Sequence, residues 1–115
     1  MRTVYPLVRY REPAKAVDWL VRAFGFEVHE LVGSGDGGVG HAELTVGTGM
    51  VMTGTGEPGG PGIYIAVEDP DAHHARAVDA GAEITMEPAD QPYGSRDYAC
   101  KDPEGNEWFF GTYRP

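Results

Sequence analysis

The sequence has 115 residues, with nine Lys and Arg against eighteen Asp and Glu, for a formal net charge of -9. Its length suits one domain with a real core, and its charge repels phosphate backbones and anionic bilayers, so neither nucleic acid nor membrane is an expected partner. The single cysteine, Cys100, excludes an internal disulfide. The first residues enter a strand pattern without a basic and apolar leader, which predicts a cytoplasmic protein.

The sequence contains the same order of elements twice. The first copy begins as a strand, starts an amphipathic helix at Glu12-Pro13 and ends it at Gly25. The second copy repeats this from Asp69-Pro70 to Gly81. Proline at the first position of a helix and glycine just past its end are typical boundary signals. Three strand-like segments follow each helix, so each copy is a βαβββ module.

The predicted elements of the first module are a strand over 3–10, a helix over 13–24, and strands over 26–32, 41–46 and 50–53. The glycine-rich run 33–38 is predicted to be a hairpin loop, and 54–62, nearly all Gly, Pro, Thr and Glu, a linker. The second module is predicted to contain a strand over 63–67, a helix over 70–80, and strands near 83–87, 96–101 and 107–113. Half of this length could hardly bury its own apolar face. The prediction is therefore a single α+β domain over 1–115, with modules over about 1–54 and 63–115.

Two motifs near the end of the second module resemble those of a known family. They are Tyr93-Gly94-Ser95-Arg96-Asp97 and the turn Asp102-Pro103-Glu104-Gly105-Asn106 before a terminal aromatic strand. With the repeated module, they resemble the vicinal oxygen chelate superfamily, which includes glyoxalase I, bleomycin-resistance proteins, fosfomycin-resistance transferases and extradiol dioxygenases. The resemblance covers essentially the whole chain and implies paired curved sheets around a cavity, commonly in a dimer. It does not fix the function, because this fold serves both metal enzymes and metal-free binders.

The resemblance also implies where a metal ion would be held. Enzymatic members take their ligands from the first and last strands of each module, and these positions correspond here to Tyr5, Met52, Gly62 and Phe109. None of them is His, Glu or Gln, whereas a hard divalent ion needs several such groups. We therefore expect no metal ion and no other cofactor, and no catalytic residue is assigned.

Polar side chains supply four candidate ligand contacts. His41 and Glu43 alternate along one strand and share a face, which is either the cavity interior or a solvent-facing stripe. Tyr93 and Arg96 belong to the loop 90–96, which lies at the mouth of the cavity in this fold. They either close over a ligand or belong to a plain surface loop.

Apolar side chains supply the other candidate contacts, namely Tyr5, Met52, Tyr64, Trp108 and Phe109. Aromatic rings offer stacking surface to planar ligands, and methionine adapts to irregular shapes. Alternation along the last strand allows only one of Trp108 and Phe109 to face the cavity. The alternative is that these residues fill the core.

These observations predict a homodimer that binds a hydrophobic, aromatic, neutral or cationic small molecule without a metal ion, as an antibiotic-resistance protein of the bleomycin type does. Two alternatives stay open. One is a metal-dependent lyase, isomerase or dioxygenase with an atypical site that uses His41 or Glu43. The other is a ligand-free structural or regulatory dimer.

Overall fold

The computed structural model describes residues 2–33 and 39–115. The hairpin loop predicted over 33–38 lies outside these residues except for Gly33. The chain divides into two compact units, Met1–Gly60 and Pro61–Pro115, called unit 1 and unit 2. Each unit combines one helix with a four-stranded mixed sheet, so the predicted α+β class is confirmed.

Both units have the element order βαβββ. Unit 1 contains β1 (Leu7–Tyr10), α1 (Pro13–Phe24), β2 (Glu27–Gly33), β3 (Val39–Val46) and β4 (Gly49–Thr55). Unit 2 contains β5 (Ile63–Ala66), α2 (Pro70–Asp79), β6 (Glu83–Asp90), β7 (Arg96–Lys101) and β8 (Glu107–Gly111). The sheet orders are β1-β4-β3-β2 and β5-β8-β7-β6. The first and last strands of each unit pair in parallel, and the other pairs are antiparallel.

Several strand boundaries differ from the prediction, and three of the differences have a physical reason. β1 begins at Leu7, because Pro6 has no amide hydrogen to donate to the sheet, and Tyr5 therefore precedes the strand. β4 continues into the predicted linker, because Thr55 pairs with Tyr10. β6 continues past Pro88 to Asp90, since this edge strand is irregular there and tolerates a proline.

The helix of each unit covers one face of its sheet, called the helix-side face, and the other is called the open face. In unit 1, the helix-side face of β3 presents Ala42 and Leu44, which are fully buried. In unit 2, β7 and β8 bury Tyr98, Trp108 and Phe110 on that face. Since side chains alternate along a strand, His41 and Glu43 lie on the open face of unit 1, and Asp97 and Phe109 on that of unit 2.

The two helices begin at Pro13 and Pro70 as predicted, and α2 ends one residue before its predicted end, but the two starts are capped differently. Gly25 follows α1 with a φ of 76°, and its amide donates to the carbonyl of Val21. Gly81 lies two residues past the end of α2 and has a φ of 90°. At the start of α2, the carboxylate of Asp69 accepts from the amide of Ala72 at 3.1 Å, whereas Glu12 makes no such capping bond with its side chain at α1. Across the described part of the chain, no helix is long and apolar enough to cross a membrane.

Candidate ligand-binding site

The open face of the unit 2 sheet carries a pocket of about 540 Å³. Three of the predicted contacts line it, namely Tyr64, Tyr93 and Phe109. The other lining residues are Met86, Gln91, Asp97, Tyr113 and Pro115. The volume lies within the range of about 300–1,000 Å³ that is typical of small-molecule pockets. The pocket therefore has room for a ligand of drug-like size.

Parallel pairing of β5 with β8 builds the floor of the pocket. Tyr64 lies opposite Phe109 in the register, so their side chains are neighbours on the open face. The hydroxyl of Tyr64 donates to the carbonyl of Tyr113 at 2.8 Å, which fixes the segment that follows β8. The ring of Phe109 lies directly over Gly62, where any Cβ would overlap it. The absence of a side chain at position 62 thus makes room for the aromatic floor.

A carboxylate lies among these rings. Asp97 is only 7% exposed, and it accepts hydrogen bonds from the hydroxyl of Ser95 and from that of Tyr93, the latter at 2.5 Å. The hydrogen bond to Asp97 raises the pKa of the Tyr93 phenol, and desolvation adds to this effect. The rings of Tyr93 and Tyr113 stand almost at right angles, at 83°, with 5.9 Å between their centroids. The pocket is therefore aromatic on its sides and acidic at one point.

Gly111 allows this carboxylate to take its position. It pairs with Asp97 across β7 and β8, and a Cβ at residue 111 would overlap the Asp97 carboxylate. The same Cβ would come within 2.8 Å of the Tyr64 hydroxyl. Both polar groups reach the floor of the pocket only because residue 111 is glycine.

Trp108 lies in the core rather than in the pocket. It is fully buried, and its indole Nε1 donates to Oδ2 of Asp102 at 3.0 Å. The other oxygen of Asp102 accepts from the amides of Glu104 and Asn106, so the turn over 102–106 holds the indole in place. Of the two alternating residues, Phe109 is therefore the one that faces the pocket.

Arg96 also lies away from the pocket. Its guanidinium makes two hydrogen bonds of 2.9 Å to Asp71, in the first turn of α2, and one of 3.2 Å to Asp90. These contacts raise the pKa of Arg96 and lower that of Asp71. Since this bidentate pairing engages the side chain towards α2, Arg96 ties the helix to the sheet instead of closing over a ligand.

The remaining predicted contacts belong to unit 1. His41 and Glu43 are neighbours on the open face of its sheet, with 3.4 Å between Nε2 and Oε2. Met52 pairs with Glu43 in the register of β3 and β4 and is partly buried. Tyr5 lies ahead of β1, partly exposed, and its hydroxyl donates to the carbonyl of Arg2 at 3.1 Å. None of these four lines the unit 2 pocket.

The residues at the family's metal positions do not fit a metal ion. Phe109 occupies the space next to Gly62, so neither position provides a donor atom. His41 and Glu43 supply two donors, but within residues 2–33 and 39–115 no group of three or more His, Cys, Asp or Glu side chains is close enough to hold an ion. A divalent ion needs more ligands than this arrangement supplies.

Sequence reasoning missed five residues of the pocket, namely Met86, Gln91, Asp97, Tyr113 and Pro115. Asp97 stands in the motif that resembles the family, and the alternation that places Tyr98 in the core would have placed it on the open face. Gly111, opposite Asp97, is the second signal in the sequence. Tyr113 follows the last strand, and no strand periodicity could orient it.

Comparisons with known proteins agree with this architecture. The model of the Glyoxalase/Bleomycin resistance protein/Dioxygenase superfamily matches residues 2–110. The uncharacterized protein Mb0911c of Mycobacterium bovis is 32% identical over 115 residues, covering 87% of this chain and 76% of that protein.

Solved structures share the fold. The crystal structure of TioX from Micromonospora sp. ML1 is 35% identical, with a TM-score of 0.88 over 99% of this chain and all of that one. A superfamily member from Sphaerobacter thermophilus superposes with a TM-score of 0.77 at 21% identity, over 96% of each chain. From its modules, its motifs and these matches, the chain belongs to the Glyoxalase/Bleomycin resistance protein/Dioxygenase superfamily.

Proposed function

We propose that the protein binds a hydrophobic, aromatic small molecule in the unit 2 pocket without a metal ion. The observation that carries this proposal is the ring set of the open face, in which Tyr64, Tyr93, Phe109 and Tyr113 surround one volume. Strand pairing fixes Tyr64 and Phe109, and a hydrogen bond to Asp97 holds Tyr93, so these rings lose little entropy when they receive a planar ligand. Met86 adds a flexible apolar wall.

The binding energy comes from apolar contact. Each Å² of apolar surface removed from water stabilises the complex by about 25 cal/mol, before the cost of immobilising the ligand. A pocket of about 540 Å³ has room for a small conjugated molecule and can remove part of its surface from water. Tight, non-catalytic capture of this kind suits sequestration of a toxic compound, as in antibiotic resistance.

Fluorescence titration of conjugated antibiotics and dyes tests this function. Phe109→Ala is expected to weaken binding of a hit by about 1–3 kcal/mol, because the floor loses its central ring. Val78→Ala on the exposed surface of α2 is the matched control and is expected to leave affinity unchanged. Elemental analysis runs alongside. About one equivalent of tightly held metal supports the lyase, isomerase or dioxygenase alternative, and a complete lack of ligands supports the structural one.

We also propose that the protein is a homodimer. β2 is one of the two edge strands of the unit 1 sheet, and every residue from Glu27 to Gly33 is exposed. Val28, Leu31 and Val32 are each between 46% and 50% exposed. An unpaired edge with apolar side chains favours association, and a second copy of this chain is the proposed cover.

Light scattering at micromolar concentration tests the dimer. Wild-type protein is expected to show the mass of two chains, and Val32→Lys to shift it towards one. Val78→Lys on α2 introduces the same charge at a residue that is 46% exposed, so it serves as the control. A wild-type mass of one chain contradicts the proposal.

A further inference from the structure

We infer that the unit 2 pocket recognises an organic cation, namely a positively charged nitrogen on an aromatic body, through the Asp97 carboxylate and the rings of Tyr93 and Tyr113. This inference rests on the proposed function, since it names the ligand class of the same pocket. It does not follow from the aromatic lining alone, which would accept neutral molecules equally well.

The first support is the charge of Asp97. Only neutral hydroxyls donate to its carboxylate, from Ser95 and Tyr93. Within the part of the chain that the structure describes, no Lys, Arg or His forms an ion pair with it. The adjacent cation, Arg96, is held by Asp71 and Asp90 instead. A buried carboxylate is stabilised by a cationic partner, and here the pocket leaves that place to the ligand.

The second support is the arrangement of the rings. Tyr93 and Tyr113 meet at 83° and form a corner next to the carboxylate. Aromatic faces attract organic cations through their quadrupole, and corners of this kind recognise ammonium groups. The hydrogen bond from Tyr93 to Asp97 ties the corner to the acid, so both elements act on the same point of the pocket.

The third support is that the fold makes room for the carboxylate. Gly111 leaves the space that the carboxylate occupies, and Ser95, itself buried, holds its other side. The Ser95 hydroxyl also accepts from the amide of Tyr113 at 3.0 Å, which connects the acid to the aromatic corner. The net charge of -9 further attracts a cation during the encounter.

Two probes of the same shape test this inference, 10-methylacridinium as the cation and 9-methylacridine as the neutral analogue, at mildly alkaline pH where the latter is uncharged. Fluorescence titration of the wild type is expected to give roughly tenfold or greater preference for the cation. Asp97→Asn keeps the shape and is expected to abolish this preference while the affinity for 9-methylacridine stays unchanged. Asp79→Asn, an exposed residue at the end of α2, removes the same charge and is expected to keep the preference.

A second pair of variants covers the case in which Asp97→Asn does not fold. Tyr113 is 49% exposed, so its replacement is tolerated. Tyr113→Leu removes the ring and is expected to reduce the cation preference several-fold, whereas Tyr113→Phe keeps the ring and the preference. If both probes bind the wild type equally, the cation inference is wrong and the proposed function stands. If neither probe binds, both are overturned.

Discussion

Units 1 and 2 share their element order and strand pairing, yet they divide their large apolar side chains differently between helix and sheet. In unit 1 both layers contribute, because α1 buries Trp19, Leu20 and Phe24 and the strands bury Tyr10 and Leu44. In unit 2 the strands carry them, and α2 buries only Pro70 and Ala77. One topology is therefore compatible with two ways of filling a core.

The open faces differ as well. Unit 1 presents a histidine and a glutamate side by side, whereas unit 2 presents aromatic rings around a carboxylate. Strand periodicity decides which residues reach the open face, and the residue types there decide its chemistry. Repetition of a fold does not imply repetition of a site.

The largest effects are expected from the two buried tryptophans. Trp108→Ala and Trp19→Ala should each lower the free energy of unfolding by about 3–5 kcal/mol, because each leaves a cavity. Trp108→Ala also removes the indole donor from Asp102. Urea unfolding followed by circular dichroism measures both. If Trp19→Ala is nearly neutral while Trp108→Ala is severe, the helix of unit 1 does not anchor its core as described.

The core of unit 2 should also make stability sensitive to alkali. Burial raises the pKa of the Cys100 thiol from 9.0 to about 12, and the charge of Asp102 adds to this. The folded state thus holds the proton more tightly than the unfolded state, so stability is lost as pH rises from about 9 towards 12. Since one pKa unit corresponds to about 1.4 kcal/mol, we expect a loss of roughly 2–4 kcal/mol across this window.

Urea midpoints at pH values across this window measure the alkaline loss. Cys100→Ala removes the titrating thiol, so its midpoint should fall less steeply with pH than that of the wild type. Burial also raises the pKa of Tyr98, so the Tyr98 phenol accounts for part of the remaining slope. Equal slopes for the two proteins would contradict the assignment to Cys100.

Substitution of one glycine in each unit tests how much space the two open faces leave for a side chain. Gly111→Ala should destabilise unit 2 by about 1–3 kcal/mol, because the new Cβ displaces the hydrogen-bonded carboxylate of Asp97. Gly54→Ala in unit 1 meets only a Leu7 methyl at 3.5 Å, an ordinary contact, and should change stability by less than about 0.5 kcal/mol. Thermal unfolding distinguishes them, and a neutral Gly111→Ala would show that the carboxylate can move freely.

The smallest expected difference lies at the helix starts. Asp69→Ala removes the cap of α2 and should cost about 1 kcal/mol. Glu12→Ala at the equivalent position of α1 should cost only a few tenths, because the Glu12 side chain makes no capping bond and its ion pair with Lys15 is exposed. Chemical denaturation of the two variants provides the comparison. Equal losses would show that the acidic residue acts through the helix dipole in both units.

Local patterns in the sequence predicted most of the fold. Glycine and proline signals located both helices. Alternation along the last strand showed that only one of Trp108 and Phe109 can face the cavity, but it could not tell which. That decision depends on which face α2 covers, which is a tertiary fact. The role of Arg96 was missed for the same reason, since its partner Asp71 is distant in the sequence. The carboxylate of Asp97 became visible as part of a site only once its register with Gly111 was known.

The contact between Gly62 and the Phe109 ring couples two positions that the resemblance assigns to the metal ion of enzymatic members. A Cβ at position 62 would overlap a carbon of the Phe109 ring, so a histidine introduced there would meet the ring before it could meet an ion. A metal ligand at position 62 therefore also requires a smaller side chain at position 109.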